Sequence, residues 1–179
     1  MNKSQIRKKI LKIRKQKKTK IKFIFNFDLI LNILKRKNVS GKIIGGYYPY
    51  NYEVDILEIL EKFEKKNFVI TLPKIKKNSQ MNFYQWSIND PLAINKFGIP
   101  EPISKMVKYP DVLLVPLVAF DKNFNRIGYG GGFYDRYIKN VRKRKKVLTI
   151  GFAGSNNTKS KNHKIIKPGN FSGNYIHYG

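Results

Sequence analysis

The residues best placed to do chemistry lie in one stretch, Arg126 to Tyr137, which reads RIGYGGGFYDRY. Gly128, Gly130, Gly131 and Gly132 let a backbone come close to an anion, with the Arg126 cation before them and the Asp135 carboxylate after them. Upstream, Val112 to Phe120 is a nearly unbroken apolar run rich in Val and Leu, as a strand covered on both faces should be. Downstream, Phe133 to Lys139 is predicted to begin a helix. Strand, Gly-rich loop and helix start together present backbone N–H groups to phosphate, and the helix N-terminus favours the negative charge. The stretch contains no G-x-x-x-x-G-K-[ST], and a G-x-G-x-x-G begun at Gly128 fails at Phe133. From the loop alone two readings stand: a phosphate cradle, or a Gly-rich turn joining a strand to a helix.

Acidic residues are informative because they are scarce, 11 against 37 Lys and Arg. Asp135 could hold Mg²⁺ against bound phosphates, or could simply offset the dipole of a helix first turn. Glu53 is predicted to open the helix after a strand ending near Tyr48. There it would stand at the strand's C-terminal edge, where open α/β sheets bind ligands, or serve only as favourable charge at a helix start. Lys3 and Arg7 are four apart on a predicted helix and share a face, which could equally be a solvated basic face. His163 and His177 have no neighbours at metal-ligand spacing, and no Ser-His-Asp set is recognisable. The absence of cysteine excludes disulfides, zinc-thiolate sites and a Cys nucleophile, and suits a reducing cytoplasm.

The formal net charge is +26, a field that attracts polyanions. Lys, Asn, Ile, Phe and Tyr, whose codons are A/T-rich, are abundant along the whole chain. The charge is therefore read first as composition, with nucleic-acid binding expected to be non-specific at most. No run approaches the roughly 18 consecutive apolar residues of a membrane span, and no signal peptide is expected. The 179 residues are read as one domain, 1–179, with 154–179 polar and irregular.

The elements that must position these groups follow from periodicity. Asn2 to Lys18 is predicted as an amphipathic helix and Ile21 to Leu34 as a second, more apolar one. Lys42 to Tyr48 is a predicted strand, Glu53 to Lys66 a helix and Phe68 to Leu72 a strand, together a β-α-β unit with parallel strands. Met81 to Trp86 alternates like an exposed or edge strand. Asn89 to Pro102 is expected to be loop, with Gly98, Pro100 and Pro102 as breakers. Asp111 to Phe120 is the central strand, Asp121 serves the turn after it, and the basic run Arg142 to Lys146 ends the next helix. Val147 to Ala153 is the last strand.

Taken whole, VPLVAFDKNFNRIGYGGGFYDRYI closely resembles the signature of the 5-formyltetrahydrofolate cyclo-ligases (methenyltetrahydrofolate synthetases). Weaker similarity follows in the family's order: NKSQIRKKI at the start, YYPYNYEVD, ITLPKI and FGIPEP. The resemblance implies a Rossmann-like, three-layer α/β/α fold with a mostly parallel central sheet. It also implies an ATP- and Mg²⁺-dependent, cytoplasmic enzyme, expected to be a monomer, that converts 5-formyltetrahydrofolate to 5,10-methenyltetrahydrofolate with release of ADP and phosphate. In the family's scheme the formyl oxygen attacks the γ-phosphate, nitrogen 10 attacks the resulting iminium phosphate, and phosphate leaves.

Carried over position by position, the resemblance makes Lys3, Ser4, Gln5, Ile6 and Arg7 an ATP-binding stretch. Arg126, Ile127, Gly128, Tyr129, Gly130, Gly131, Gly132, Phe133 and Tyr134 form a second. Arg126 and Asp135 take catalytic roles, with Asp135 as the Mg²⁺ ligand. Tyr48 and Glu53 bind the folate; Tyr84 and Trp86 could also stack on a pterin, or be simply core, as most aromatics are. The chain departs from the pattern at Gly131, where many members have Lys, and in its tail, where no Asp or Glu follows Asp135. The alternative reading is therefore a catalytically weakened relative that binds nucleotide or folate, or RNA through its charge.

Overall fold

The computed structural model describes residues 2–16, 26–76, 80–120, 126–154, 165–166 and 173–178. Its helices are α1 (Lys3–Gln16), α2 (Phe27–Arg36), α3 (Leu57–Lys65) and α4 (Phe133–Val141). The strands before the Gly-rich loop are β1 (Ile43–Gly45), β2 (Val69–Ile75), β3 (Met81–Gln85), β4 (Leu92–Ile94), β5 (Pro100–Pro102), β6 (Val107–Lys108), β7 (Val112–Leu117), β8 (Ala119–Phe120) and β9 (Arg126–Ile127). Those after it are β10 (Leu148–Gly154), β11 (Ile165–Ile166) and β12 (Gly173–Tyr178).

The main sheet has the order β11-β12-β10-β7-β1-β2-β3-β6. The inner run from β12 to β2 is parallel; β11 and β3 pair antiparallel with its two ends, and β6 pairs antiparallel with β3. The fold is thus α/β with a mostly parallel central sheet. β7 is buried along its whole length, as its unbroken VLLVPL predicts. Its alternate residues feed two cores. Val112 and Leu114 join α2 and α3 through Ile30, Leu60 and Phe63, while Leu113, Val115 and Leu117 join α4 through Ile138 and Val141. Helices therefore cover both faces of the sheet, in three layers. Among the described residues no helix is long and apolar enough to cross a membrane.

Local chemistry sets the boundaries. Asn2 and Gln5 exchange backbone-to-side-chain bonds, both at 2.9 Å, and so close a capping box at the start of α1. Asn26 caps α2 by accepting from Leu29 N, so that helix starts at Phe27; residues 21–25 of the expected helix lie outside the described residues, as do Lys17 and Lys18.

Five expectations are corrected. The helix expected from Glu53 begins at Leu57, because Asn51 takes a left-handed turn (φ 54°) and Glu53 closes that turn by accepting from Tyr50 N. The expected strand to Tyr48 pairs only over Ile43–Gly45. Asn89 to Pro102 is not plain loop: β4 and β5 pair antiparallel, with Gly98 at φ 76° in the turn and Asn95 Oδ1 accepting from Phe97 N and Ile99 N. The Met81 strand is not an exposed edge, since β6 pairs on its outer side and Phe83 is wholly buried. The tail expected to be irregular contributes β11 and β12, because β10 offers an unpaired edge that β12 fills in parallel from Thr149↔Gly173 to Gly154↔Tyr178.

Candidate active site

Strand order locates the site. From β1 the chain passes through α3 to β2 on one side, and from β7 it passes through α4 to β10 on the other. The order reverses between β1 and β7, and the crevice beyond the C-terminal ends of two such strands is where open α/β sheets take ligands. Tyr47 to Asp55 follow β1. The β8/β9 ribbon and the Gly-rich loop follow β7.

Helix α1 supplies two arginines to this crevice. Arg7 Nε donates to Gly128 O at 2.8 Å. Arg14 is more widely engaged: Nη2 donates to Val118 O at 2.7 Å and Leu117 O at 3.2 Å, and Nη1 to Tyr52 O and Tyr129 Oη, each at 3.3 Å. One guanidinium therefore joins α1, the end of β7, the turn after β1 and the Gly-rich loop.

Three of the four loop glycines, Gly130, Gly131 and Gly132, stand where a side chain would be strained or would clash, whereas Gly128 has open space around it. Gly130 has φ 108°, and a Cβ there would stand 3.4 Å from the Arg7 guanidinium carbon. Gly132 caps α4 in the left-handed conformation (φ 65°) without a side-chain cap. Arg136 N bonds Gly132 O to close the first turn, which leaves the leading N–H groups of α4 outside the helical ladder. Arg136 also donates from Nη2 to Gly131 O at 2.9 Å and covers the Phe133 ring at 5.2 Å. That ring fills the space a side chain at Gly131 would need, 2.5 Å from its Cβ position.

Arg126 Nη2 is ion-paired with Asp135 Oδ1; the Arg126 side chain is 13% exposed and that of Asp135 64%. The Asp135 carboxylate thus faces solvent at the mouth of the loop. No group of three His, Cys, Asp or Glu able to hold a metal occurs among the described residues. One exposed carboxylate beside a Gly-rich loop and the leading N–H groups of a helix fits Mg²⁺, which keeps several waters and is commonly bound by one or two carboxylates together with phosphate oxygens.

Glu53 occupies the other half of the crevice, half-buried, with Oε2 accepting from Tyr50 N at 3.0 Å. Burial pushes its carboxyl up to about 7, while the Tyr50 N–H and the Arg14 guanidinium pull it back. Tyr47, Tyr129 and Tyr134 face the same carboxyl. Burial first, and then its charge, raises all three phenols. Tyr47 Oη donates to Val54 O at 2.9 Å, whereas the buried Tyr134 hydroxyl has no hydrogen-bond partner.

The residues singled out in the sequence are brought together in part. Arg7, Arg126, Gly128 to Tyr134, Asp135 and Glu53 converge on the crevice. Lys3, Ser4 and Gln5 are exposed at the start of α1, with Gln5 engaged in its cap, and Ile6 is half-buried. Tyr48 is half-buried and packs against the α2/α3 core, the cluster that also contains Tyr47, whose phenol lies near Glu53. Tyr84 and Trp86 are core residues, 7% and 3% exposed, with Trp86 Nε1 donating to Asp90 O. Asp121 lies outside the described residues, as does His163; of His177 only the backbone is described. Arg14 was missed, although it stands seven residues after Arg7, which on a helix is the same face.

The family model described as 5-formyltetrahydrofolate cyclo-ligase family matches residues 1–157. The chain belongs to that family. It is 31% identical over 130 residues to the 5-formyltetrahydrofolate cyclo-ligase of Haemophilus influenzae, covering 69% of this chain and 68% of that protein. With the Mycoplasma pneumoniae cyclo-ligase it is 26% identical over 160 residues, 86% of this chain and 87% of that one. The solved 5,10-methenyltetrahydrofolate synthetase of Aquifex aeolicus superposes with a TM-score of 0.64 at 25% identity, over 99% of this chain and 90% of that one. The synthetase of Mycoplasma pneumoniae shares the fold with a TM-score of 0.60 at 24% identity, over 84% and 85% of the two chains.

Proposed function

We propose that the crevice between β1 and β7 is a two-substrate site, with ATP on the Gly-rich loop and the folate beside Glu53. The chain is a 5-formyltetrahydrofolate cyclo-ligase: it converts 5-formyltetrahydrofolate to 5,10-methenyltetrahydrofolate with ATP, in folate one-carbon metabolism. The convergence of the Gly128–Gly132 loop and Glu53 at the sheet's switch point carries this reading.

Phosphoryl transfer to the formyl oxygen asks a protein for positioning and charge neutralisation more than for a nucleophile. The leading N–H groups of α4 receive phosphate oxygens. Arg7 and Arg126 offset their charge, with Lys3 at the helix start able to reach outward to them. Bound Mg²⁺ would be held by Asp135, phosphate and water, and would neutralise charge on the transferring group. Glu53 accepts hydrogen bonds from the pterin ring, which sets the formyl group toward the loop. The tyrosines around Glu53 exclude water and strengthen those contacts. The protein acts in the cytoplasm as one domain and a monomer.

The reaction's stoichiometry tests this reading. Purified protein given ATP, Mg²⁺ and 5-formyltetrahydrofolate releases one ADP and one phosphate for each methenyl product. Phosphate release that continues unchanged without the folate would contradict it.

A further inference from the structure

We infer that Arg14 is a positioning residue that couples the two halves of the site, so that occupation of the Gly-rich loop tightens binding beside Glu53. This rests on the two-substrate reading above and goes beyond it by naming the connection.

The geometry is specific. Nη2 holds the carbonyls of Leu117 and Val118, where β7 ends and the chain leaves for the loop. Nη1 is shared between Tyr52 O, one residue before Glu53, and Tyr129 Oη, inside the loop. The two Nη1 bonds, at 3.3 Å, are long beside the 2.7 Å bond to Val118, so the guanidinium is anchored most firmly at the end of the strand and more loosely at Tyr52 and Tyr129. A ligand that draws the loop inward moves Tyr129 against this fixed fork. The fork passes the displacement to the turn that carries Glu53. A guanidinium suits this role because its donors lie in one rigid plane, which a lysine ammonium cannot reproduce.

Electrostatics adds a second link. The charged and titratable groups facing Glu53 are Arg14 from α1, Tyr129 from the loop, Tyr134 from α4 and Tyr47 from the chain after β1. Arg14 supplies the positive charge among them. Withdrawal of Arg14 would therefore raise the Glu53 carboxyl further, in addition to releasing the turn before it.

Binding measurements on the whole protein test the coupling apart from turnover. The affinity for 5-formyltetrahydrofolate is measured by calorimetry with and without a non-hydrolysable ATP analogue and Mg²⁺. This is done for the unaltered protein, Arg14→Lys, Arg14→Gln and Tyr129→Phe. In the unaltered protein the analogue should tighten folate binding about five-fold or more, the lower end of ordinary coupling. The factor should fall toward one in Arg14→Gln and in Tyr129→Phe, with Arg14→Lys failing to restore it. The pH midpoint of folate binding should move upward in Arg14→Gln only, since Tyr129→Phe keeps the cation. Tyr129→Phe keeps the bonds from Arg14 to β7, so it decides the question if Arg14→Gln does not fold. An undiminished factor in Tyr129→Phe, or two ligands that bind the unaltered protein independently, would overturn the inference. Failure of the unaltered protein to bind either ligand would overturn the two-substrate reading itself.

Discussion

Arg126 and Asp135 form an ion pair across the Gly-rich loop, from the strand that enters it to the first turn of the helix that leaves it. The arginine is nearly covered and the carboxylate is open to solvent, so the pair presents its acidic side to whatever the loop binds. Asp135 is the described acid closest in sequence to the loop, and no Asp or Glu follows it in the chain.

Asp135→Ala should therefore lower turnover by about a hundred-fold or more, the scale of losing one preorganised charge contact. Melting should change little, because ion pairs with an exposed partner contribute little to stability. Turnover of Asp135→Ala compared at several Mg²⁺ concentrations checks this. Unchanged turnover at every concentration would remove Asp135 from the metal site.

Glu53 gives a pH signature. Its folded carboxyl lies at about 7, raised chiefly by burial. A raised carboxyl binds its proton more tightly folded than unfolded. Its contribution to stability is therefore full at low pH, falls as pH rises from the ordinary glutamate range to about 7, and is level above that. Glu53→Gln should flatten this slope in melting temperature. In the proposed site the ionised carboxylate is the form that would accept pterin N–H groups, so folate affinity should rise through the same interval and lose that rise in the Gln variant. Glu53→Ala should raise the apparent constant for folate more than that for ATP. Equal effects on both would argue against a folate-specific role.

Gly132→Ala tests the loop's backbone. The position is left-handed, and an added Cβ would meet Arg136 Nη1 at 2.7 Å. The conformation alone costs about 1 kcal/mol for a residue with a side chain. The apparent ATP constant should rise while folate binding measured without nucleotide stays unchanged. A change confined to folate would place the loop's role elsewhere.

Much of the fold was legible because burial leaves a pattern. The all-apolar β7 announced a strand covered on both faces, and the alternation of strand and helix around α3 announced parallel pairing. The place of Glu53 beyond the C-terminal end of β1 was legible, but its helix was not, because the turn at Asn51 depends on a left-handed backbone that composition does not show. β12 was missed because what orders it is the open edge of β10, a tertiary fact. Tyr47 and Tyr48 illustrate the remaining limit. Both pack with the same core cluster, and only the packing shows that the Tyr47 phenol lies near Glu53. Arg14 could have been found by extending the Lys3 and Arg7 face of α1 along the helix.

The most direct test of the account is the near-ultraviolet absorbance of the methenyl product, followed in purified protein with 5-formyltetrahydrofolate, Mg²⁺ and ATP. The account predicts absorbance that grows with enzyme and time, that is absent without ATP and that is lost on chelation of Mg²⁺. Well-folded protein that binds both substrates yet yields no ATP-dependent absorbance would contradict it, and would identify the chain as a binding relative.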